Sequence, residues 1–323
     1  MSHIKSVKLN TGASIPLIGL GTWVPVDHSD REIVASTIEY AIGEAGYRHL
    51  DTAYYYETED KIGEALKRIF DRGEIKREEV FITTKIWPTF YDKVEYCLDK
   101  SLKDLQLDYV DLLLVHYPVC LYRENEETGK PFIPEYPNGL TRKAKGFDHV
   151  DMWKQMEEIY KKGKAKAIGV SNYSEVFIDE LIEKCEIIPA VNQIELHPRL
   201  PQLDLVDYCK KKGIVVTAFS PFGGGRHGAP MIFNEDVIKM AEKYNCSTGN
   251  ILVNYHYVND VVCLPKSAKP DRLVDNLKII GLTDEDKKFL DTLADKYGIL
   301  RKDDFPWGLD LGFEDKKPYE VWD

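Results

Sequence analysis

"SDREIVASTIEYAIGEAGYRHLDTA", residues 29–53, holds one full structural unit of the chain. Ser29 followed three residues later by Glu32 forms a capping box. Ile33, Thr37, Ile38, Ala41 and Ile42 keep one face of the helix largely apolar, and Gly46 suits its stop. A short apolar run then ends in Asp51. The same alternation recurs outward in both directions. Upstream lies "PLIGLG" (16–21). Downstream lie "VFITTK" (80–85), "YVDLLLVH" (109–116), "AKAIGVSN" (165–172), "PAVNQIE" (189–195), "GIVVTAFSP" (213–221) and "VVCLPKS" (261–267). Helical segments separate them, one carrying Ile62, Leu66 and Ile69 and another near 91–106. Apolar runs without strict alternation describe strands buried on both faces, and helices between them imply parallel crossovers. Eight such units predict an α/β chain folded as a (β/α)8 TIM barrel rather than an open doubly wound sheet.

The remaining segments attach to that frame. "VKLNTGASIP" (7–16) reads as an N-terminal β-hairpin with Asn10–Gly12 in the turn. The stretch from about 119 to 150 is too long and too rich in proline and charge for a plain connection, so it reads as a loop inserted near the active end. The irregular aromatic tail, about 297–323, reads as a second long loop over the pocket. With no linker, low-complexity tract or short repeat, residues 1–323 are expected to form a single domain. A hydrophobic fraction of 43% supports a large core, and a net charge of -11 argues against nucleic acid as a partner. The six cysteines form no CxxC pair. "MSHIKSVKLN" lacks a signal-peptide core, and no apolar run reaches membrane-spanning length. A reduced, cytoplasmic protein is expected, without membrane association. Lacking a heptad seam or a long apolar edge, it is expected to be a monomer.

Polar residues close nearly every strand: Asp51, Lys85, His116, Ser171–Asn172, Gln193, Ser220 and Lys266. In a parallel barrel all strand C-termini open on one face, so these residues converge there despite their separation in sequence. Asp, Lys and His after the second, third and fourth strands make a candidate catalytic cluster. On residue types alone, Lys85 also suits the Schiff-base lysine of a barrel aldolase.

The chain resembles the aldo-keto reductases. "GLGTW" (19–23), "GYRHLDTAYYYETE" (46–59), "FITTKIW" (81–87), "LDYVDLLLVHYP" (107–118), "AIGVSNY" (167–173), "VNQIELHP" (191–198), "AFSPFG" (218–223) and "LPKSAKPDRLVDN" (264–276) match that family in order. Within it, "GEALKRIFDRGEIKREEVFITTKIWP" (63–88) and "HGAP" (227–230) are similar to the yeast D-arabinose dehydrogenase and fungal carbonyl reductase branch. The family pattern Asp-Thr-Ala-x-x-Tyr-x-x-Glu selects Tyr56 from three consecutive tyrosines, leaving Tyr54 and Tyr55 as packing or pocket-rim aromatics. The resemblance implies the tetrad Asp51, Tyr56, Lys85 and His116, and NADPH-dependent reduction of aldehydes or ketones, reversible and extending to aldoses such as D-arabinose. In chemical terms, hydride reduction of a carbonyl needs a proton for the developing alkoxide. A lysine beside Tyr56 is expected to lower the phenol's pKa, with Asp51 holding that lysine and His116 orienting the carbonyl.

The cofactor site is also implied by the resemblance. Ser171, Asn172 and Gln193 hold the nicotinamide carboxamide, while Asp51 and Thr22 approach the ribose. Phe219 stacks on the nicotinamide where the family usually has tyrosine. Gly21, Ser220, Phe222, Gly223, Ser267 and Asn276 complete the set. Lys266, Lys269 and Arg272 cluster at a helix start near Pro270, which suits a 2′-phosphate and favours NADPH over a weaker NADH. Lys269 stands where many relatives carry a small hydroxyl residue. Trp23 and Trp87 resemble the family's pocket aromatics, and Tyr117 is a further candidate for that wall. The insert and tail should set the choice among small carbonyl or sugar substrates.

Other matches carry less. "GGGRHG" (223–228) fits G-x-G-x-x-G but is followed by Pro230 and "MIF" instead of a helix start. Tyr160 and Lys164 in "YKKGK" have short-chain dehydrogenase spacing at what reads as a solvated helix end. His197 and His256 lack a ligand partner at metal-binding spacing, so no metal is expected. Cys120, bordering the insert, reads as inert packing. A regulatory barrel with little turnover, resembling potassium-channel β subunits, is the alternative. The complete tetrad and the lack of an added N-terminal segment argue against it.

Overall fold

The computed structural model describes residues 4–24, 31–224, 230–303, 310–313 and 315. Two short strands, β1 (Ser6–Lys8) and β2 (Ser14–Pro16), form the expected antiparallel hairpin. Its turn is closed by bonds Leu9–Ala13 and Gly12–Leu9, with Gly12 at φ +88, where a side chain would be strained. Eight parallel strands follow: β3 (Leu20–Gly21), β4 (His49–Asp51), β5 (Phe81–Ile86), β6 (Leu112–Val115), β7 (Ile168–Ser171), β8 (Val191–Glu195), β9 (Val215–Phe219) and β10 (Val262–Cys263). Each pairs with the next in sequence order. Closure comes from the parallel bridge Ile18–Cys263, with Gly19 N–H on Cys263 O at 2.9 Å and Cys263 N–H on Leu17 O at 2.8 Å. That cyclic pairing is the predicted barrel.

Strand periodicity sorts the core into two compartments. Leu50, Ile82, Ile86, Leu113, Val115, Ile168, Val170 and Ile194 point outward and pack against the helices. Phe81, Leu112, Leu114, Val191, Val262 and Leu264 form an inner cluster together with Leu9, Ile15 and Leu17 from the hairpin segment. The hairpin therefore plugs the N-terminal mouth of the barrel. The same inward register carries His49 to Asp51, Thr83 to Lys85, Leu114 to His116 and Gln193 to Glu195 at the other end. Polar strand ends thus gather over an apolar floor.

Local departures from the sequence reading have physical causes. The first helix starts as a 3-10 turn (Arg31–Ile33), continues as an α-helix (Val34–Tyr40), then widens to a π-turn (Ala41–Ala45) stopped by Gly46 at φ 95. Ile33, assigned to the apolar face, is instead exposed, and Val34 and Ala35 are buried in its place. Ser29, the other half of the expected capping box, lies outside the described residues. The helix expected near 91–106 runs Val94–Leu105, because a 3-10 turn (Pro88–Phe90) uses the preceding residues. The inserted segment is irregular, tied by bridges Leu121–Lys143 and Glu135–Thr141, and ends at the Asp148 cap of the helix His149–Lys161. Among the described residues no helix is long and apolar enough to cross a membrane.

Candidate active site

Asp51 ends β4, and its backbone carbonyl accepts both the N–H and the hydroxyl of Thr22. Its carboxylate divides between two donors: Lys85 Nζ at 2.7 Å on Oδ1 and Gln193 Nε2 at 2.8 Å on Oδ2. Lys85, the inward residue of β5, has no exposed surface, so its charge needs that partner. Its ammonium also donates to Thr52 O at 2.9 Å and to Tyr56 Oη at 3.2 Å. Tyr56 comes from the 3-10 turn Tyr54–Tyr56 that follows β4. Backbone N–H groups of Tyr56 and Glu57 close that turn on Ala53 and Tyr54.

The other two phenols are turned elsewhere. Tyr54 donates to Thr128 O at 3.2 Å and meets Phe90 edge-on. Tyr55 stacks on Trp87 with ring centres 4.0 Å apart. Trp87 is wholly buried and donates to Phe132 O at 2.7 Å, so it backs the wall, with Tyr55 laid against it. His116 follows β6; Trp87 meets its ring edge-on at 5.2 Å and Tyr117 stacks on it at 5.2 Å. Tyr117 in turn donates to Asp303 Oδ2 at 2.6 Å. Asp303 belongs to the tail, which was named only as a covering segment, and no spacing signal singled it out. Trp23 is half-buried on the loop after β3.

Burial sets the electrostatics. His116 is held well below the usual imidazole range, first by burial and then by Lys85, so its ring is neutral and its Nδ1 has no hydrogen-bond partner among the described residues. Lys85 is lowered by the same burial, against the pull of Asp51. Tyr56 is pushed well above the ordinary phenol, by burial first and by the Asp51 and Asp303 carboxylates next. This corrects the expectation that Lys85 lowers it. Burial and the two carboxylates outweigh the lysine, because a buried phenolate beside them is disfavoured. Tyr56 is a protonated donor across the neutral range. Burial raises the Cys120 thiol to about 12, which leaves it inert.

The remaining strand ends extend the network. Ser171 Oγ donates to Gln193 O at 2.8 Å and accepts from Asn172 Nδ2, which also reaches His116 O at 3.1 Å. Asn172 and Ser220 adopt left-handed conformations at φ 63 and 49, which turn the chain sharply at the barrel rim. Phe219 ends β9 beside Glu195 of β8. A groove beside β3 is lined by Gly21, Thr22, Lys266 and Ser267, with Val34 and Ile38 on its apolar side. Beyond it, Lys269 is the residue before the helix Pro270–Asn276, whose exposed first turn carries Arg272. Phe222 and Asn276 lie together near Gly249, and Asn276 is buried with its amide on the Tyr47 hydroxyl. Gly223 has φ 79, and a Cβ there would meet Met231 at 2.7 Å. Gly225–Ala229, including most of "GGGRHG" and "HGAP", lie outside the described residues. The donor set fits a ligand with an anionic end and a planar polar head: Lys266, Lys269 and Arg272 are exposed cations, and Ser171, Asn172 and Gln193 bring hydroxyl and amide groups to the strand ends.

The decoys are also placed. Lys164 pairs with Glu95 and Asp99 at the barrel's outside, away from Tyr56. His197 Nε2 lies 3.2 Å from Glu195 Oε1.

Three comparisons with known proteins agree with this geometry. The Aldo/keto reductase family profile matches residues 17–295. A D-galacturonate reductase of Hypocrea jecorina is 45% identical over 96% of this chain and 98% of its own length. An aldehyde reductase of Saccharomyces cerevisiae is 42% identical over 94% and 95%. Among solved structures, an aldo-keto reductase in complex with NADPH superposes with a TM-score of 0.79 at 34% identity, covering 90% of this chain and 88% of that one. A closed eight-stranded barrel with this profile across most of its length settles the assignment: the chain belongs to the aldo/keto reductase family and is an oxidoreductase.

Proposed function

We propose that the chain reduces aldehydes and ketones to alcohols with NADPH, using Tyr56 as the proton donor. The reading rests above all on the contact Asp51–Lys85–Tyr56, which leaves one phenol of three inside the polar cluster. Bound at the groove, NADPH would supply a hydride to the carbonyl carbon. The chain's own groups do the rest. His116, neutral and buried, orients the carbonyl oxygen. Tyr56 holds its proton until the oxygen becomes an alkoxide, then donates it, and Lys85 stabilises the phenolate left behind. In the reverse direction the same phenolate accepts the alcohol proton.

Ser171, Asn172 and Gln193 would hold the nicotinamide amide, Phe219 its ring, and Thr22 with Asp51 the ribose. Gly21, Ser220, Phe222, Gly223, Ser267 and Asn276 would line the dinucleotide. Lys266, Lys269 and Arg272 would take the 2′-phosphate, which supports NADPH over NADH. Trp23, Tyr117 and Tyr55 would face the substrate, with Trp87 behind. The relatives named for galacturonate and for aldehydes support small or polyhydroxylated carbonyls, aldoses such as D-arabinose among them. The same reading makes the chain a one-domain, monomeric enzyme of the cytoplasm.

The test is the initial rate of NADPH oxidation with an aromatic aldehyde. Tyr56→Phe is expected to lose roughly 10²–10⁴-fold in kcat, the usual contribution of a general acid, with little change in NADPH affinity. A variant that keeps its rate would remove Tyr56 from the mechanism.

A further inference from the structure

The motif "VNQIELHP" supplies Gln193 to the site, and two residues further along the same inward face of β8 stands Glu195. It is a carboxylate with 1% exposure that the proposed reaction does not use. A buried charge of this kind is tolerated only when well hydrogen-bonded. Its donors come from the far end of the chain. Lys302 N–H reaches both carboxylate oxygens at 3.0 Å, Asp303 N–H reaches Oε2 at 2.7 Å, and the His197 ring adds a contact at 3.2 Å on Oε1. Neighbouring residues hold the same segment. Arg199 donates to the carbonyls of Tyr297 and Gly298, and Gln202 accepts from Arg301.

The consequence reaches the candidate site in two contacts. With its amide fixed on Glu195, Asp303 presents Oδ2 to the Tyr117 hydroxyl at 2.6 Å, and the Tyr117 ring lies parallel to His116, 14° apart in plane. We propose that Glu195 is a positioning residue: its carboxylate docks the C-terminal segment on the barrel mouth, so that Asp303 braces Tyr117 and, through it, fixes the His116 ring. This rests on the carbonyl-reductase reading for the use made of His116, whereas the docking itself does not.

Two readouts separate the two claims. Trypsin cleavage after Arg301 reports docking without reference to activity. Glu195→Gln, which removes the charge and puts an N–H in place of one of the two oxygens that the Lys302 N–H reaches, is expected to raise that cleavage rate at least tenfold. Asp303→Ala keeps its backbone amide on Glu195, so cleavage should stay near wild type. Both variants are expected to raise KM for the aldehyde about tenfold and to shift the His116 imidazole resonances, with NADPH affinity within twofold of wild type. Tyr117→Phe should show the same KM and resonance changes, which keeps the test open if Glu195→Gln folds poorly. The double variant Glu195→Gln with Asp303→Ala should be no worse in KM than Glu195→Gln alone. Unchanged cleavage in Glu195→Gln would overturn the docking. A loosened tail with unmoved His116 resonances, or fully additive KM effects, would overturn the brace. If wild type turns over no carbonyl, the reductase reading fails while cleavage and resonances still judge the positioning.

Discussion

Three adjacent phenols with one backbone turn between them show how finely position selects chemistry. Tyr56 Oη lies on the Lys85 ammonium, Tyr55 lies flat on Trp87, and Tyr54 spends its hydroxyl on Thr128 O. Tyr54→Phe therefore removes one half-buried hydrogen bond and nothing from the site. It is expected to cost about 1 kcal/mol in urea unfolding and to leave aldehyde turnover within about twofold of wild type. A loss of turnover comparable to that of Tyr56→Phe would mean that the tyrosines are misassigned. The family pattern counted from Asp51 pointed to the phenol that the fold lays on Lys85. The direction of its pKa was not legible, since burial and the Asp303 carboxylate depend on chain segments hundreds of residues away.

At the scale of elements, the helix Glu59–Asp71 approaches the helix Val94–Leu105 at Gly63. A Cβ there would lie 2.1 Å from Asp104 O and 2.8 Å from the Leu105 carbonyl carbon, both backbone. Neither atom can swing away as a side chain would, so Gly63→Ala must separate two helices that cover β4 and β5. The expected loss is about 3 kcal/mol or more, at the upper end of overpacking. Gly43→Ala, with nothing within 4 Å, is the control and should be neutral or stabilising by about 0.5–1 kcal/mol. Equal stabilities for the two variants in urea titrations would refute the close approach. Eight apolar runs and their polar ends made the barrel and its open face legible, because doubly buried strands separated by helices imply parallel crossovers, and all strand C-termini of such a barrel open on one face. What depended on tertiary contact was not legible. Ile33 gave way to Val34 on the buried face, the first helix widened into a π-turn, and Tyr55 stacked on a wholly buried Trp87. Glu195 stood in a quoted motif, yet its partners lie over a hundred residues away.

Over the whole molecule, buried ionisable groups give folding a pH dependence whose sign can be worked out. His49 is lowered to about 4 and His256 to about 3 by burial, and His116 is lowered as well. Each is neutral when folded but takes up a proton near 6.5 when unfolded. Their stabilising contribution is therefore complete above about 6.5 and is lost as pH falls, at about 1.4 kcal/mol per pH unit for each ring. Glu59 works in the opposite sense. Burial raises it from 4.5 to about 7 despite bonds from Thr84 and Ser101, so its contribution is complete below 4.5 and is lost as pH rises through 7. Between about 6.5 and 4.5 these three histidines oppose Glu59, and across the four groups the unfolded chain holds an excess of two protons. Stability should then fall by about 3 kcal/mol per pH unit on acidification in that window. Urea midpoints measured from pH 8 to 5 test this, and His256→Asn should make the acid limb shallower by about 1.4 kcal/mol per unit. Glu59→Gln should make the same limb steeper, because it removes a group that gains on acidification. A midpoint that stays level down to pH 5 would mean that these rings are open to water in the folded barrel, against the burial that also keeps His116 neutral.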